Sequence, residues 1–378
     1  MKKRFVSALL ALIMCSSALF GCQKRLEPVE VESTTLAMDT VISFTAYSWD
    51  ERETRRLLDR LTDDLNALEK LLSVTREDSG LSWVNQSNGR PVELEQYPEL
   101  VEILYRMLDL CEVTGGALDI TAYPAVKAWG FTTGEHRVPG PDELTELAEK
   151  IDYTAVKMGG ESRNPPDLPG YGEAGEEAWD DYILKRETVT LPEGVEIDLG
   201  AVAKGYAGDQ LAAYVRGHED IFSVLLDLGQ STIVAMGFKP DGSPWRIGIV
   251  DPARPENYFA VVELQDMAMG TSGGYQRYFE QDGETYWHIL DPDTAAPARS
   301  GLASVTVVSP SALTCDGLST ALFVMGLEKG AQFWRDHPEL RFEAIFVTES
   351  GEIYRTAGLE GRFSLAEGYE DREVTVLE

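Results

Sequence analysis

Hydrophobic residues recur every three or four positions in several stretches of the chain, which is the period of an amphipathic helix. One such stripe is built from leucines alone, at Leu58, Leu61, Leu65, Leu68 and Leu72. Similar spacing predicts helices near residues 98–113, 140–151, 202–216 and 311–325. Gly326 follows the last of these, where a glycine commonly ends a helix.

Runs rich in β-branched and aromatic residues lie between these helices and predict strands. They span residues 38–47, 182–191, 222–228, 231–238, 245–250, 258–265, 303–309, 342–348 and 352–356. Residues 275–290 alternate on both sides of Asp282-Gly283, which predicts a hairpin with a two-residue turn. Because helices and strands interleave without a repeat or a Pro/Ser-rich linker, we expect residues 34–378 to form one compact α+β unit of mixed α/β type.

Two segments lack any hydrophobic period. Residues 159–181 are rich in Gly, Pro and acidic residues, a composition that predicts a mobile surface insertion in the folded unit. Residues 22–33 are mostly polar and predict a short tether in front of the fold.

Residues 1–21 have the organisation of a secretory signal peptide. Lys2, Lys3 and Arg4 precede an apolar stretch at 5–20, which is too short for a comfortable membrane span. The stretch ends in LFGC, which matches a lipobox whose Cys22 receives diacylglycerol. We therefore expect an extracytoplasmic protein that is anchored to the cell membrane by this lipid. An ordinary secretory signal cut nearby is the alternative.

The chain carries 64 acidic and 33 basic residues, a formal net charge of −31. This balance argues against nucleic-acid binding, because phosphate neutralisation needs a basic patch. Four cysteines exclude a disulfide-rich scaffold, and four histidines without HExxH or paired CxxC motifs disfavour a zinc enzyme. Cys111 and Cys315 lie in apolar helical patterns, so we expect both to be buried free thiols.

Two stretches suggest metal and phosphate chemistry. Asp316 and Thr320 are four apart on one face of a predicted helix, and Mg²⁺ prefers such hard oxygen ligands. Taken alone, the pair is more typical of a hydrated helix face or a local hydrogen bond. Lys204 lies in the first turn of another predicted helix beside Gly205, where a cation is favourable only near an anion. An ordinary surface lysine is the alternative.

Three further motifs are ambiguous by themselves. Residues 115–121 (GGALDIT) follow a predicted helix, and a glycine helix cap followed by a turn is as good an interpretation as a functional role. Residues 270–274 (GTSGG) match GxSxG but lack the helix that follows a nucleophile elbow, which favours a glycine-rich loop that receives a ligand. His288 precedes an Asp-Pro turn and fits a general base as well as a strand-end residue bonded to that turn.

Taken together, the motifs resemble the FAD:protein FMN transferases, the ApbE-like flavin transferases. Order and spacing agree for GGALDIT, IDLGAVAKGYAGD, TSGGYQRYF followed by HILDP, CDGLSTALFVMG, and the MDT at residues 38–40. The resemblance covers residues 33–360 and implies a T-fold-like fold. It also implies an extracytoplasmic, Mg²⁺-dependent enzyme that cleaves FAD. Such an enzyme attaches FMN through its phosphate to a Thr or Ser hydroxyl of an acceptor flavoprotein and releases AMP.

The resemblance further implies roles for individual residues. The residues that would line the FAD site are Met38, Thr75, Ala117, Leu118, Asp119, Asp198, Lys204 and Leu290. Mg²⁺ would be held by the Ala201 carbonyl, Asp316 and Thr320, and His288 is the candidate catalytic base. Ser319 stands where the family often has Asp, which leaves one metal ligand weaker or supplied by water.

Several positions depart from the family pattern. Asp39, Gln230 and Ala295 replace glycines of the family's turns. Thr75 replaces an aromatic residue that many transferases carry, and relatives without that residue can favour FAD hydrolysis. Two alternatives therefore stay open. One is an FAD pyrophosphatase that gives FMN and AMP, and the other is a lipoprotein that binds flavin without catalysis.

Overall fold

A computed structural model describes residues 27–159 and 187–378. The predicted signal peptide, Cys22, the first part of the tether and nearly all of the predicted insertion lie outside these residues. In the described part, the helices are α1 (Glu51–Leu72), α2 (Gly80–Asn85), α3 (Pro98–Val113), α4 (Tyr123–Ala128), α5 (Pro141–Ala148), α6 (Ala203–Arg216) and α7 (Ala312–Asp336). The five helices predicted from hydrophobic spacing are confirmed, whereas the short α2 and α4 were not predicted.

The strands of the described part follow the predicted pattern with several additions. In chain order they are β1 (Val29–Ala37), β2 (Thr40–Ser48), β3 (Val92–Glu93), β4 (Lys157–Gly159), β5 (Thr188–Thr190), β6 (Ile221–Asp227), β7 (Thr232–Gly237), β8 (Trp245–Asp251), β9 (Arg254–Leu264), β10 (Met267–Gly273), β11 (Tyr278–Gln281), β12 (Glu284–Trp287), β13 (Leu290–Asp291), β14 (Ala296–Pro297), β15 (Leu302–Ser309), β16 (Glu343–Thr348), β17 (Ile353–Thr356), β18 (Phe363–Leu365) and β19 (Val374–Leu377).

Nine strands form the central sheet, in the order β1-β2-β6-β7-β10-β15-β16-β17-β19. Successive side chains of a strand face opposite sides, and β7 shows the consequence. Val234 and Met236 join the core beneath α1, α3, α6 and α7, whereas Ile233 and Ala235 join a second core beneath the three-stranded sheet β18-β9-β8. The central sheet is therefore covered by helices on one face and by a small sheet on the other, which confirms the mixed α+β class.

The predicted tether is too long, because residues 29–33 belong to β1. This strand pairs antiparallel with β2 along its whole length, from Val29 opposite Ser48 to Ala37 opposite Thr40. Because most residues of β1 are polar, their composition does not predict a strand. The strand nevertheless buries Val31 and Ala37 on one face and exposes Glu30 and other residues. Pairing with β2, which the local sequence does not reveal, satisfies its backbone.

Residues 270–274 do not form the predicted ligand-receiving loop. Residues 270–273 lie within β10, in the middle of the central sheet between β7 and β15. A Cβ at Gly270 would lie 2.7 Å from the backbone carbonyl carbon of Cys315. The glycine therefore lets α7 pack directly on the strand, and its role is close helix–sheet contact rather than loop flexibility.

Helices α6 and α7 also cross closely, because a Cβ at Gly205 would overlap the backbone of Ala312. Gly326 interrupts α7 with a φ of 78°, so the first part of the helix ends where predicted and a second part continues to Asp336. Cys111 and Cys315 are buried and free, as expected. Within the described residues, no helix combines the length and apolar character needed to cross a bilayer.

The three positions that depart from the family's turn glycines keep a glycine-like backbone. Asp39, Gln230 and Ala295 have φ values of 58°, 65° and 54°. All three lie in the left-handed region, which favours glycine because it has no Cβ. Each of these turns therefore holds a residue with a Cβ in a conformation that favours glycine.

Candidate active site

A cleft of about 840 Å³ is lined by the β1–β2 turn, the segment after α1, the N-terminal end of α6 and the first part of α7. It brings together all twelve residues to which the sequence assigned a place in binding or catalysis. They are Met38, Thr75, Ala117, Leu118, Asp119, Asp198, Ala201, Lys204, His288, Leu290, Asp316 and Thr320. Their individual roles stay predictions. Cys22, the predicted lipidation site, lies outside the described residues.

Asp316 is held firmly at the floor of the cleft. Its Oδ1 accepts a hydrogen bond from the Thr232 hydroxyl at 2.8 Å, and its Oδ2 accepts one from the Gly205 backbone N–H at 2.7 Å. Burial raises the pKa of this carboxyl to about 7, an effect partly offset by the positive charge of Lys204. A cation bound beside Asp316 would favour its ionised form.

Three hydroxyls cluster next to this carboxylate. Ser272 Oγ lies 2.8 Å from Ser319 Oγ and 3.1 Å from Thr320 Oγ1. Ser319 and Thr320 both donate to the backbone carbonyl of Asp316, at 3.0 and 3.2 Å. Because the hydrogen of Thr320 is used in this way, its oxygen keeps lone pairs for another partner.

The donor set of the cleft suits Mg²⁺ but is sparse. It comprises the carboxylate of Asp316, the hydroxyl of Thr320 and the carbonyl of Ala201, all of them hard oxygens. In residues 27–159 and 187–378, no group of three or more His, Cys, Asp or Glu side chains could hold a metal. The residues therefore fit an ion that takes most of its ligands from water or phosphate, as Mg²⁺ does.

Lys204 enters the cleft from the first turn of α6. Its ammonium group donates a hydrogen bond to the Ser231 hydroxyl. Burial lowers the pKa of Lys204, and Arg277 adds to this effect while Asp316 opposes it. A cation so placed, at the positive end of a helix dipole, favours an anionic ligand.

Asp119 and Asp198 shape the opposite wall. The Asp198 backbone N–H donates to the Ile120 carbonyl at 2.8 Å, which joins the GGALDIT and IDLGAVAKG motifs. Asp119 accepts from the Thr121 and Tyr153 backbone N–H groups at 2.8 and 2.9 Å. Burial raises the pKa of both carboxyls. These bonds show that both aspartates organise the loops as well as facing the cleft.

His288 has the tautomer of a base. Its Nδ1 lies 3.2 Å from the backbone carbonyl of Arg277, so this nitrogen carries the proton and donates it to the carbonyl. The other ring nitrogen, Nε2, is then left with a free lone pair. Burial and the charge of Arg277 lower the pKa of His288 to about 4, which keeps the ring neutral at pH 7.

The remaining predicted residues lie at the cleft margins. The Met38 backbone N–H donates to Glu69 at 2.9 Å, which fixes the β1–β2 turn against α1. Thr75 is exposed in the segment after α1, with its hydroxyl 3.1 Å from that of Ser73. Its small side chain leaves this margin open.

Sequence reasoning assigned no role to Thr232, Ser272 or Arg277, although each lines the cleft. Ser272 and Arg277 lie inside the TSGGYQRYF motif, so their membership of that motif could have predicted that they line the cleft. Thr232 bonds to Asp316 across 84 residues of sequence, and no local pattern reveals such a contact.

The chain resembles known proteins along nearly all of its length. FAD:protein FMN transferases from Treponema pallidum and Escherichia coli strain K12 are 31% and 30% identical to it. The matches cover 93% and 91% of this chain and 93% of each relative. Among solved structures, the ApbE protein of Thermotoga maritima matches with a TM-score of 0.75 and 29% identity, over 87% of this chain and 98% of that one.

A second solved structure, the apo form of the flavinyl transferase ApbE from Pseudomonas stutzeri, matches with a TM-score of 0.70 and 26% identity. It covers 93% of this chain and 98% of its own. The model of the ApbE family matches residues 38–346. That span contains all twelve predicted residues of the cleft, and this chain therefore belongs to the ApbE family.

Proposed function

We propose that this protein transfers FMN from FAD to a Thr or Ser hydroxyl of an acceptor flavoprotein in an Mg²⁺-dependent reaction. The product is a phosphoester, and AMP leaves. The observation that carries the proposal is the meeting, in one cleft, of a phosphate-binding cation (Lys204), an oxygen ligand set (Asp316 and Thr320) and a neutral histidine (His288). The full-length relatives that are named FAD:protein FMN transferases support it.

In the proposed reaction, the residues of the cleft act on the two phosphates of FAD. The acceptor hydroxyl attacks the phosphorus of the FMN half of FAD, and Nε2 of His288 takes the hydroxyl proton. The bond between this phosphorus and the bridging oxygen breaks, and AMP departs with the electron pair. Lys204 offsets negative charge on the pyrophosphate throughout.

Asp316, Thr320 and the Ala201 carbonyl would hold Mg²⁺, which supplies Lewis-acid stabilisation of phosphate charge when it is bound. Thr232 and Gly205 keep the Asp316 carboxylate oriented through their hydrogen bonds. The close packing of α6 on α7 brings Lys204 and Asp316 to the same cleft.

A second candidate function is FAD pyrophosphatase, in which water replaces the acceptor hydroxyl. The open margin at Thr75 supports it, because a small side chain leaves room for water near the phosphates. A third candidate is flavin binding without catalysis.

Two assays separate the three candidates. Release of AMP from FAD in the presence of Mg²⁺ distinguishes either enzyme from a binding protein. Flavin fluorescence that stays on a denatured acceptor protein distinguishes transfer from hydrolysis. AMP release is measured with FAD and Mg²⁺, both with and without an acceptor protein. A failure to release AMP in both cases would contradict the proposed function.

We further propose that the mature protein begins at Cys22 and is held by a lipid on the extracytoplasmic side of the cell membrane. The lipobox and the preceding apolar stretch support this location. Cys22→Ala should leave the precursor unlipidated, because the acceptor thiol is gone. Mass spectrometry that finds no lipid on the wild-type N-terminus would contradict the proposal.

A further inference from the structure

Three cations line the cleft, and they differ in how they are partnered. Arg76 pairs with Asp78 at 3.1 Å, and Lys204 donates to Ser231. Arg277 has no ion pair and no side-chain hydrogen bond or ring contact in the described residues. Although the chain has nearly twice as many acidic as basic residues, no carboxylate of the described residues lies within ion-pair distance of the Arg277 guanidinium, and Asp198 attracts it only from farther away.

The backbone places Arg277 beside the candidate base. Its carbonyl accepts from the His288 backbone N–H at 3.1 Å and from His288 Nδ1 at 3.2 Å. The segment between β10 and β11 is thus tied to the strand end that carries His288. The charge of Arg277 also bears on Lys204 and Asp198, which lie across the same cleft.

Two nearby cations repel each other unless an anion lies between them. Lys204 and Arg277 are such a pair. The acids close enough to attract them, Asp198, Asp227 and Asp316, already accept hydrogen bonds from backbone N–H groups, and Asp316 also accepts one from Thr232. The planar fork of an arginine matches two oxygens of a phosphate, which a lysine cannot do. This arrangement suits a ligand with two adjacent phosphates.

We propose that Arg277 binds the pyrophosphate of FAD from the His288 side of the cleft, opposite Lys204. The inference rests on the proposed function for the identity of the ligand. Arg277 then has two roles in the reaction. Its guanidinium stabilises charge on the phosphate under attack, and its carbonyl holds His288 in the base tautomer.

The test compares Arg277→Gln with Arg216→Gln. Arg216 is exposed at the far end of α6, about 18 Å along the helix from Lys204. Removing its charge should therefore leave the cleft unaffected, since the distance exceeds the screening length in physiological salt. Arg277→Lys keeps the charge but removes the fork.

Arg277→Gln should weaken FAD binding about 10- to 100-fold, the usual effect of losing a charge-assisted hydrogen bond. Riboflavin, which has no phosphate, should bind the variant and the wild type alike. Arg277→Lys should give an intermediate affinity, and Arg216→Gln should match the wild type. Fluorescence titration of each ligand against each full-length protein gives these values.

Thermal melting separates this role from a structural one. Without ligand, Arg277→Gln should melt at or above the wild-type temperature, because repulsion with Lys204 is removed. Addition of FAD should then raise its melting temperature less than that of the wild type.

Equal binding of FAD by Arg277→Gln and Arg216→Gln would overturn the inference, and so would equal loss of FAD and riboflavin. If the wild type neither transfers nor hydrolyses, yet Arg277→Gln selectively loses FAD affinity, the proposed function fails while the Arg277 assignment stands.

Discussion

Burial shifts the pKa values of Lys204, His288 and Asp316 in the directions that favour their neutral forms. It lowers the pKa of Lys204, lowers that of His288 to about 4 and raises that of Asp316 to about 7. A charge that loses contact with water is destabilised, so each shift weakens the charged state in the ligand-free cleft. Phosphates near Lys204 and a cation near Asp316 would restore the charges, which fits a site built for charged occupants.

His288→Ala should lower the transfer rate by about 10²–10⁴ and leave FAD affinity unchanged, because a general base acts on the proton and not on the flavin. The pKa of about 4 also sets the pH dependence, since the ring is deprotonated and active above this value. We expect the acidic limb of kcat/KM for FAD, at saturating Mg²⁺, to have its midpoint near pH 4. A midpoint near 6.5, the ordinary histidine value, would contradict the assignment.

Thr75→Tyr should raise the ratio of FMN transferred to FMN released. The ring would fill the open margin of the cleft and exclude water from the phosphate. Product analysis with an acceptor protein gives the ratio, and Thr34→Tyr, on the exposed face of β1, is the matched control. A wild type that releases no free FMN, with an unchanged ratio in Thr75→Tyr, would remove the main support for the pyrophosphatase alternative.

Gln230→Gly should increase the free energy of unfolding by about 0.5 kcal/mol. Gln230 is exposed with a φ of 65°, so glycine relieves backbone strain without losing packed side-chain contacts. Chemical denaturation measures the change. Gln332→Gly, inside α7, should instead cost about 1 kcal/mol, and the same sign for both variants would show that the turn is unstrained.

At the scale of elements, the sequence predicts those helices and strands that are determined by neighbouring residues, and it does not predict those that depend on contacts distant in sequence. The leucine stripe of α1 is local, so its helix was predictable. The strand character of β1 depends on pairing with β2. Gly270 of β10 is needed because α7 packs on it, and the residues it meets there are more than forty positions away in sequence. The motif residues of the site were predictable through the family resemblance, but partners such as Thr232 were not, because they meet Asp316 only in the folded chain.

Helix α7 is anchored at its N-terminus by Asp209 of α6. The two oxygens of Asp209 accept from the Ser311 hydroxyl and the Ala312 N–H, both at 2.7 Å, and from the Leu313 N–H at 3.2 Å. A negative charge there also complements the helix dipole. Because α7 carries Asp316 and Thr320, this anchor sets the position of the proposed metal ligands relative to Lys204.

Asp209→Asn should raise the Mg²⁺ concentration needed for half-maximal activity about tenfold, because residues that orient metal ligands typically have effects of this size. The control is Asp336→Asn, the same change at the exposed C-terminal end of α7. Magnesium titration of both variants measures the difference. Matching titration curves, with Asp209→Asn less stable, would show that the anchor serves the fold alone.

At the scale of the whole molecule, Val29 at the start of β1 and the cleft beside Met38 lie at opposite ends of that strand. The tether leads into Val29, and the strand rises about 27 Å before it reaches Met38 at the cleft. A lipid at Cys22 would therefore hold the protein at the membrane through the Val29 end of β1, and the cleft would lie beyond the other end of this strand. With its strongly acidic body, the protein would depend on the lipid for membrane attachment, since anionic headgroups repel it.

The central claim is covalent transfer of FMN, and intact-mass measurement of an acceptor flavoprotein tests it most directly. The acceptor is incubated with FAD, Mg²⁺ and the full-length protein, and a variant with Ala at the acceptor Thr or Ser is the control. We predict that the acceptor gains the mass of one FMN phosphoester, that one AMP is released for each FMN attached, and that the control gains nothing. An unchanged acceptor mass alongside AMP and free FMN would contradict transfer and identify a pyrophosphatase.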